Sequence, residues 1–354
     1  MKRIISYLGA KVNLYSFLEE NIINNHNKKE NNLFIDLFAG TCAVSKLIME
    51  ETNWNIYIND LANYSGILFA ELEMIKLSKE KFDKIPKILE ELDKKKLIED
   101  GDFFNEFSMN GKPKSIKNKE EVFKKKIVQK TEQEYKESRM FFKEEVGKKI
   151  DTIKKGIKEK YESGEINNIE KDILMLFLLN YANKNSNTTS VYGAYLKHDL
   201  KKTIKPFFEN ELIEYLKKKY EKNKNNPNEI KKYNDYAENM LLNISPRQNK
   251  EKVILYMDPP YSTRSYEGNY HILEYLCDFN FNIDMIKEDS KTGQKKDKIK
   301  NPFVSKKETP KIFKKIIEES MEKANHLYIS YNNEGLIKEE EIREIIKDIN
   351  EKKE

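Results

Sequence analysis

The residues best suited to chemistry are Asp258-Pro259-Pro260-Tyr261, a carboxylate, two prolines and a phenol in direct succession. Neither proline has an N–H to donate to a sheet ladder, so a strand that reaches Asp258 must stop and turn stiffly there. Such a turn holds a carboxylate, a proline carbonyl and an aromatic ring together. A planar heterocycle carrying an –NH2 group fits that set. The carboxylate and the carbonyl each accept one N–H, and the ring stacks on the heterocycle. A strand that merely ends in an Asp-Pro turn is the plainer reading of these four residues taken alone.

The elements that must position this turn are legible around it. Val253-Ile254-Leu255-Tyr256-Met257 is an apolar run of strand length. Leu33-Phe34-Ile35-Asp36-Leu37-Phe38 is another, followed by Ala39-Gly40-Thr41 and by an apolar pattern at 43–49 that predicts a helix. Asn55 to Asp60 predicts a third strand, ending in an acid 24 residues after Asp36. Strand, glycine-bearing turn, helix and acid-ended strand open a doubly wound sheet, in which that acid meets the ribose hydroxyls of an adenosine cofactor. GxGxxG is absent, so no pyrophosphate cradle is formed. S-adenosylmethionine, an adenosine without phosphate, therefore fits better than NAD. A structural strand–turn–helix with solvent-facing acids is the alternative for this half. Further helices are predicted at 12–23, 272–276, 311–323 and 339–347, and a strand at 326–331.

Residues 78–170 are Lys/Glu-rich, poor in glycine and patterned for helices, with a break at Asn110-Gly111-Lys112-Pro113. They predict a helical insertion. Within 111–160 there are 17 Lys and Arg against 9 Asp and Glu, on a chain of 354 residues with net charge +5. Local basic excess suits a polyanion, and a solvated helix face is the alternative. Ile173 to Leu179 predicts a core helix, followed by the amide-rich loop Asn180 to Gly193, whose residue types suit base edges and phosphates. Residues 201–232 predict another basic helical piece, and 284–309 a mobile, lysine-rich loop that touches DNA. Two cysteines and four scattered histidines supply neither a disulfide framework nor a metal site. No apolar run is long enough to span a membrane and no signal peptide is apparent, which predicts a soluble, cytoplasmic protein.

Taken together, these stretches resemble the Dam-type, α-arranged DNA adenine-N6 methyltransferases of restriction–modification systems. The resemblance rests on Tyr7-Leu8-Gly9-Ala10-Lys11, Phe34 to Thr41, Asn59-Asp60, Asn183 to Lys197, Asn234-Asp235, Asp258 to Tyr261 continuing through Arg264 to Glu274, and Ile329 to Gly335. It covers nearly the whole chain except 78–170. It implies an α/β, Rossmann-like sheet that binds S-adenosylmethionine, with a catalytic domain at 1–77 and 233–354. Residues 78–232 become a mainly helical insertion and target recognition region, of which 172–197 packs back on the catalytic domain. Cofactor residues are then Tyr7, Gly9, Lys11, Asp36, Phe38, Gly40, Asp60 and Asp235. Asp258, Pro259, Pro260 and Tyr261 form the catalytic turn, which acts on a flipped-out adenine of double-stranded DNA. DNA contacts are expected from Lys184, Asn185, Asn187, Thr188, Tyr192, Arg264, Tyr266 and Tyr270. No metal is implied, the enzyme is expected to act as a monomer, and pairing with a restriction endonuclease is open. Cys42 departs from the pattern, standing where such motifs usually carry glycine, and its Cβ is expected to crowd the methionine end of the cofactor. Methylation of RNA adenine or of a protein glutamine, which also present a planar –NH2, and an inactive DNA-binding scaffold are the competing functions.

Overall fold

Side-chain alternation along short buried strands decides the architecture. In the computed structural model, which describes residues 4–5, 11–123, 138–198, 203–226, 228–244, 252–261, 266–297 and 301–351, a five-stranded parallel sheet runs through the centre. Its strands are β1 (Leu33–Asp36), β2 (Asn55–Asn59), β3 (Ile230–Tyr233), β4 (Val253–Met257) and β5 (His326–Ile329), in the order β3-β2-β1-β4-β5. Phe34, Ile56, Ile58, Ile254 and Tyr256 enter one hydrophobic core. Leu33, Ile35, Val253, Leu255 and Met257 enter another on the opposite face. Burial on both faces is why β1 and β4 read as continuous apolar runs.

The two cores are closed by helices whose apolar residues recur at helical spacing. On the second face lie α9 (Thr309–Lys323) and α10 (Glu339–Glu351), through Phe313, Ile316, Ile317 and Ile342. The first face carries α1 (Ala43–Glu51) and α2 (Asn63–Leu68), then the inserted helices α3 (Lys79–Asp93), α4 (Asp102–Phe107), α5 (Glu144–Glu162), α6 (Asn168–Asn185) and α7 (Asn210–Asn223), and finally α8 (Tyr266–Cys277). Helix α6 is buried all round from Ile173 to Ala182 and starts at a capping box formed by Asn167 and Glu170. It packs on α3 and α5 from one side and on α2 and α8 from the other. Phe103, Phe107, Phe141, Phe142, Ile150 and Ile153 of the insertion belong to the same core as the sheet face. The basic excess of α5 is neutralised in place. Lys148, Lys149, Lys155, Lys158 and Lys160 all pair with acids, and Lys154 donates to the Tyr275 carbonyl.

Two sequence expectations change. Residues 230–232, read as part of a basic helical piece, form the edge strand β3 instead. An edge strand buries little, so Ile-Lys-Lys-Tyr carries no apolar run to reveal it. Residues 284–297, read as a mobile loop, fold as a hairpin whose ends meet at an Ile286–Lys295 bridge. Its order comes from partners far away in sequence, described below. Among the described residues no helix is long and apolar enough to cross a membrane.

Candidate active site

The strand order reverses between β1 and β4, and the loops leaving their carboxyl ends must diverge there. That crevice is where open α/β sheets bind ligands. The pocket at this point is lined from the β1 side by Asp36, Phe38, Ala39 and Gly40, and from the β4 side by Asp258, Pro259, Pro260 and Tyr261. Asp60 and Asp235 close it along β2 and β3. The sequence motifs thus meet in one cavity because parallel pairing in register brings Asp36 beside Tyr256 and Ile58.

Two Asn-Asp dipeptides lock each other across the sheet. Asn59 Nδ2 donates to the Asp235 carbonyl (3.0 Å) and to the Leu37 carbonyl (3.2 Å), and its Oδ1 accepts from Asp235 N. Asn234 Nδ2 in return donates to the Asp60 carbonyl (2.7 Å). The Asp60 carboxylate accepts from Gly40 N (2.8 Å) and Ala62 N (2.9 Å), tying the glycine turn to the end of β2. Burial raises the Asp60 carboxyl, and those backbone N–H donors oppose the rise. Asp36 is fully buried. Its Oδ2 accepts from the Ser45 hydroxyl (2.6 Å), whereas Oδ1 has no hydrogen-bond partner among the described residues. Burial pushes its carboxyl up to about 7.

On the β4 side Lys11 Nζ lies 2.8 Å from Asp258 Oδ1. Burial raises the Asp258 carboxyl, and Lys11 holds it back. Tyr266 lines the pocket next to Tyr261 and stacks on Tyr270 at 6.3 Å between centroids. Several lining residues escaped sequence reasoning. Phe303, in a short helical turn Pro302–Val304, meets Phe38 edge-on at 5.0 Å. Glu267 and Glu274 come from α8, inside the Arg264 to Glu274 stretch of the resemblance but without a role assigned there. Nothing in local composition marks them, since their place depends on chain segments that return from a distance.

Of the expected site residues, Tyr7, Gly9 and Arg264 lie outside the described residues. Of the expected DNA contacts, Tyr266 alone among the described ones lines the pocket. Lys184 pairs with Glu209, and Asn185 bonds both backbone groups of Lys205. Asn187 spends its amide on the carbonyls of Met140, Leu196 and His198. Thr188, Tyr192 and Tyr270 are buried. The polar residues of this loop therefore shape the loop, and its exposed side chains are Thr189 and Ser190.

Cys42 does not crowd the pocket. It adopts the left-handed conformation (φ 58, ψ 25) ahead of α1, with its side chain buried in the first core and absent from the pocket lining. Glycine suits that position because a Cβ costs about 1–2 kcal/mol in left-handed backbone. Cys42→Gly is accordingly expected to relieve strain while losing a small buried side chain, for a net change within about 1 kcal/mol. Cofactor affinity should stay within about twofold, because Cβ does not face the pocket. Equilibrium denaturation and titration calorimetry read the two quantities. A tenfold gain in affinity would show that crowding, not strain, is what Cys42 imposes.

This geometry agrees with what the chain is similar to. The family described as D12 class N6 adenine-specific DNA methyltransferase matches residues 7–345. Type II methyltransferase M.NlaIII from Neisseria lactamica is 28% identical over 344 residues, covering 96% of this chain and 87% of that protein. Type II methyltransferase M.FokI from Planomicrobium okeanokoites is 29% identical over 353 residues, 96% of this chain and 46% of that protein. Modification methylase LlaI from Lactococcus lactis subsp. lactis is 26% identical, covering 95% of this chain and 47% of that protein. The chain thus spans about half the length of the last two. No solved structure matches it. A parallel sheet with its pocket at the switch point, an Asp-Pro-Pro-Tyr turn in that pocket and a match over nearly the full length lead to one conclusion: the chain belongs to the D12 class of N6 adenine-specific DNA methyltransferases.

Proposed function

We propose that this methyltransferase modifies an adenine swung out of duplex DNA at a short motif, with Asp258 and the Pro259 carbonyl accepting the two N6 protons. The observation that carries the reading is the Asp258-Pro259-Pro260-Tyr261 turn in one pocket with the Phe38-Ala39-Gly40 loop. A base inside a duplex cannot reach such a pocket, and extruding it costs a few kcal/mol. Stacking on Tyr261 returns about 1–3 kcal/mol. Accepting both N–H protons localises the nitrogen lone pair that resonance otherwise spreads into the ring, and that lone pair attacks directly, without a covalent enzyme intermediate. Lys11, 2.8 Å from Asp258, opposes the rise that burial imposes on its carboxyl and so favours the accepting form. Rate then comes from positioning and preorganised electrostatics.

S-adenosylmethionine, the methyl donor that methyltransferases use in general, supplies an electrophilic methyl on its sulfonium when bound. The pocket fits it. Seven carboxylates (Asp36, Asp60, Asp235, Glu238, Asp258, Glu267 and Glu274) face a ligand with sulfonium and ammonium charges, and Lys11 is the lysine among the lining residues. The unpartnered Oδ1 of Asp36 suits the ammonium, Asp60 the ribose hydroxyls and Asp235 the adenine amine. Phe38 and Phe303 offer apolar faces to the adenine. Tyr7, Lys11 and Gly40 complete, with Asp36, the set expected around the methionine end.

A proton linkage follows from Asp36. Its carboxyl, raised to about 7, is protonated in the ligand-free protein below that pH. The folded state then holds a proton the unfolded chain has released. This group therefore favours folding most below about pH 4, and that contribution is lost as pH rises toward 7. An ammonium placed on Oδ1 drives the proton off. Cofactor binding at pH 6 should release close to one proton, and almost none above about pH 8. Calorimetry in two buffers of different ionisation heat measures this, and equal heats at pH 6 would remove Asp36 from the ammonium site.

Residues 78–229 are the proposed recognition region, with α6 tying it to the catalytic sheet. Thr189 and Ser190 are its exposed candidates for base contacts. Lys287, Lys291 and Lys296, exposed and without an ion-pair partner among the described residues, are candidates for phosphates. The relatives' names support a role as the modification enzyme of a restriction–modification system. Transfer of radiolabelled methyl to duplex DNA, RNA and total protein tests the substrate class. Label in N6-methyladenine of DNA is expected. Label confined to RNA or to glutamine would overturn the reading.

A further inference from the structure

We infer that the hairpin 286–297 is a positioning element of the methyl-transfer site, through which Gln294 and Lys295 hold the first turn of α8 against the target side of the pocket. The inference rests on the reading of the Asp258 pocket given above and names residues that this reading leaves without a role.

The hairpin is built to be stiff. Lys287 N donates to the Gln294 carbonyl (2.8 Å), Lys296 N to the Met285 carbonyl (2.9 Å), and Gln294 N to the Ser290 hydroxyl (2.9 Å). Asp289 and Gly293 take positive φ (55 and 71) to close its tip. That tip is fastened to the recognition region. Asp289 Oδ1 accepts from Lys117 N (2.8 Å) and Asn118 N (3.0 Å), and Asp289 N donates to the Ser115 carbonyl (3.0 Å). Arg139, fully buried, donates to the Ser290 carbonyl from Nη2 (2.8 Å) and Nε (3.2 Å). A Cβ at Gly293 would lie 2.6 Å from the Phe107 ring, so the two surfaces touch closely.

The base of the same hairpin is fastened to α8. Gln294 Nε2 donates to the Gly268 carbonyl (3.0 Å) and sits 3.2 Å from His271 Nδ1. His271 Nε2 faces the Thr292 carbonyl at 2.7 Å. With its proton on Nε2 the neutral ring donates to Thr292 and accepts from Gln294 at Nδ1; the Gly268 carbonyl, 3.1 Å from Nδ1, is then served by Gln294. Lys295 Nζ lies 3.8 Å from both Glu267 and Glu274. Both acids line the pocket, and Glu274 also accepts from Asn63 Nδ2 (2.9 Å) at the start of α2. Lys295 therefore joins the loop after Asp60 to the turn that carries Tyr266. From the opposite side the Asn183–Lys197 stretch grips the same turn, where Tyr192 N donates to the Asn269 carbonyl (2.7 Å).

One turn of helix, Tyr266 to Asn269, is thus braced by the hairpin and by one arm of the recognition region, and its first two side chains form the wall beside Tyr261. Removing Lys295 leaves two neighbouring carboxylates on that wall without their shared cation, so they repel each other and the incoming phosphates. A shift of about 1 Å in a positioning group costs up to about a hundredfold in rate.

The test uses the full chain, tritiated S-adenosylmethionine and genomic DNA from a methylation-free bacterium. Lys295→Met is expected to lower kcat by about tenfold or more. Cofactor Kd by calorimetry should stay within about twofold and the melting temperature within a few degrees, because Lys295 neither lines the pocket nor belongs to the core. Lys295→Arg should restore most of kcat. Asp289→Gly, which frees the tip without backbone strain, should lower kcat several-fold from outside the pocket. Wild-type kcat in Lys295→Met overturns the proposal. So does a parallel fall of kcat, cofactor affinity and melting temperature, which marks a merely structural lysine. Asp258→Ala separates the two levels. If it is inactive while Lys295→Met is not impaired, the hairpin's role alone fails; if it retains full kcat, the reading of the pocket fails with it.

Discussion

Asp258→Ala is expected to reduce kcat by about a hundredfold to a thousandfold, the scale of losing one preorganised electrostatic partner of the transition state. The effect should fall on kcat and leave S-adenosylmethionine affinity within a few-fold, because the proposed reading puts Asp258 against the target amine and Asp36 and Asp60 against the cofactor. The mutation also removes the ion-pair partner of Lys11, 2.8 Å away. Lys11 retains some exposure and can turn toward water, so the fold should survive. Asp258→Asn is the sharper variant. It keeps an acceptor oxygen but brings an –NH2 to face the substrate's own –NH2, and it should be as inactive as alanine. Rapid-quench single-turnover kinetics separate this loss from slow product release.

Arg139→Met is expected to destabilise the protein by about 3–5 kcal/mol, the cost of breaking one half of a buried ion pair. Arg139 and Glu106 both have fully buried side chains, with Nη1 2.5 Å from Oε2. Glu106 would keep its bonds from Lys114 N, Ser115 N and the Ser115 hydroxyl, but its charge would lose its only cationic partner among the described residues. The hairpin tip would lose its guanidinium as well. Equilibrium denaturation of Arg139→Met, Glu106→Gln and the double variant gives the coupling energy. A loss below about 1 kcal/mol for Arg139→Met would show that the pair is solvated rather than sealed.

What the sequence reveals and what it hides divide along physical lines. β1 and β4 are legible because burial on both faces leaves an apolar run, β2 because Ile56 and Ile58 alternate with half-exposed neighbours, and the Asp258–Tyr261 turn because two prolines end a strand. Asn59-Asp60 and Asn234-Asp235 can be recognised as dipeptides, yet their mutual locking depends on β2 and β3 lying side by side. β3 itself is hidden by its exposure. The hairpin 286–297 has the composition of a loop, and its order is supplied by Arg139, Lys117 and His271, which no local window contains. The amides of Asn185 and Asn187 look like base readers until their partners are known, since a polar loop needs internal hydrogen bonds as much as a DNA interface does. Cys42 is informative in the opposite way: the reason glycine suits that place is backbone conformation, which a sequence pattern records without explaining.

The most direct test of the central claim is single-molecule mapping of modified bases in DNA from a methylation-free bacterial host that expresses the protein, with Asp258→Ala alongside. N6-methyladenine at one short motif throughout the genome, absent in the Asp258→Ala strain, is the predicted result. Unmodified DNA in the presence of folded wild-type protein, or the same modified motif in the Asp258→Ala strain, would contradict the account.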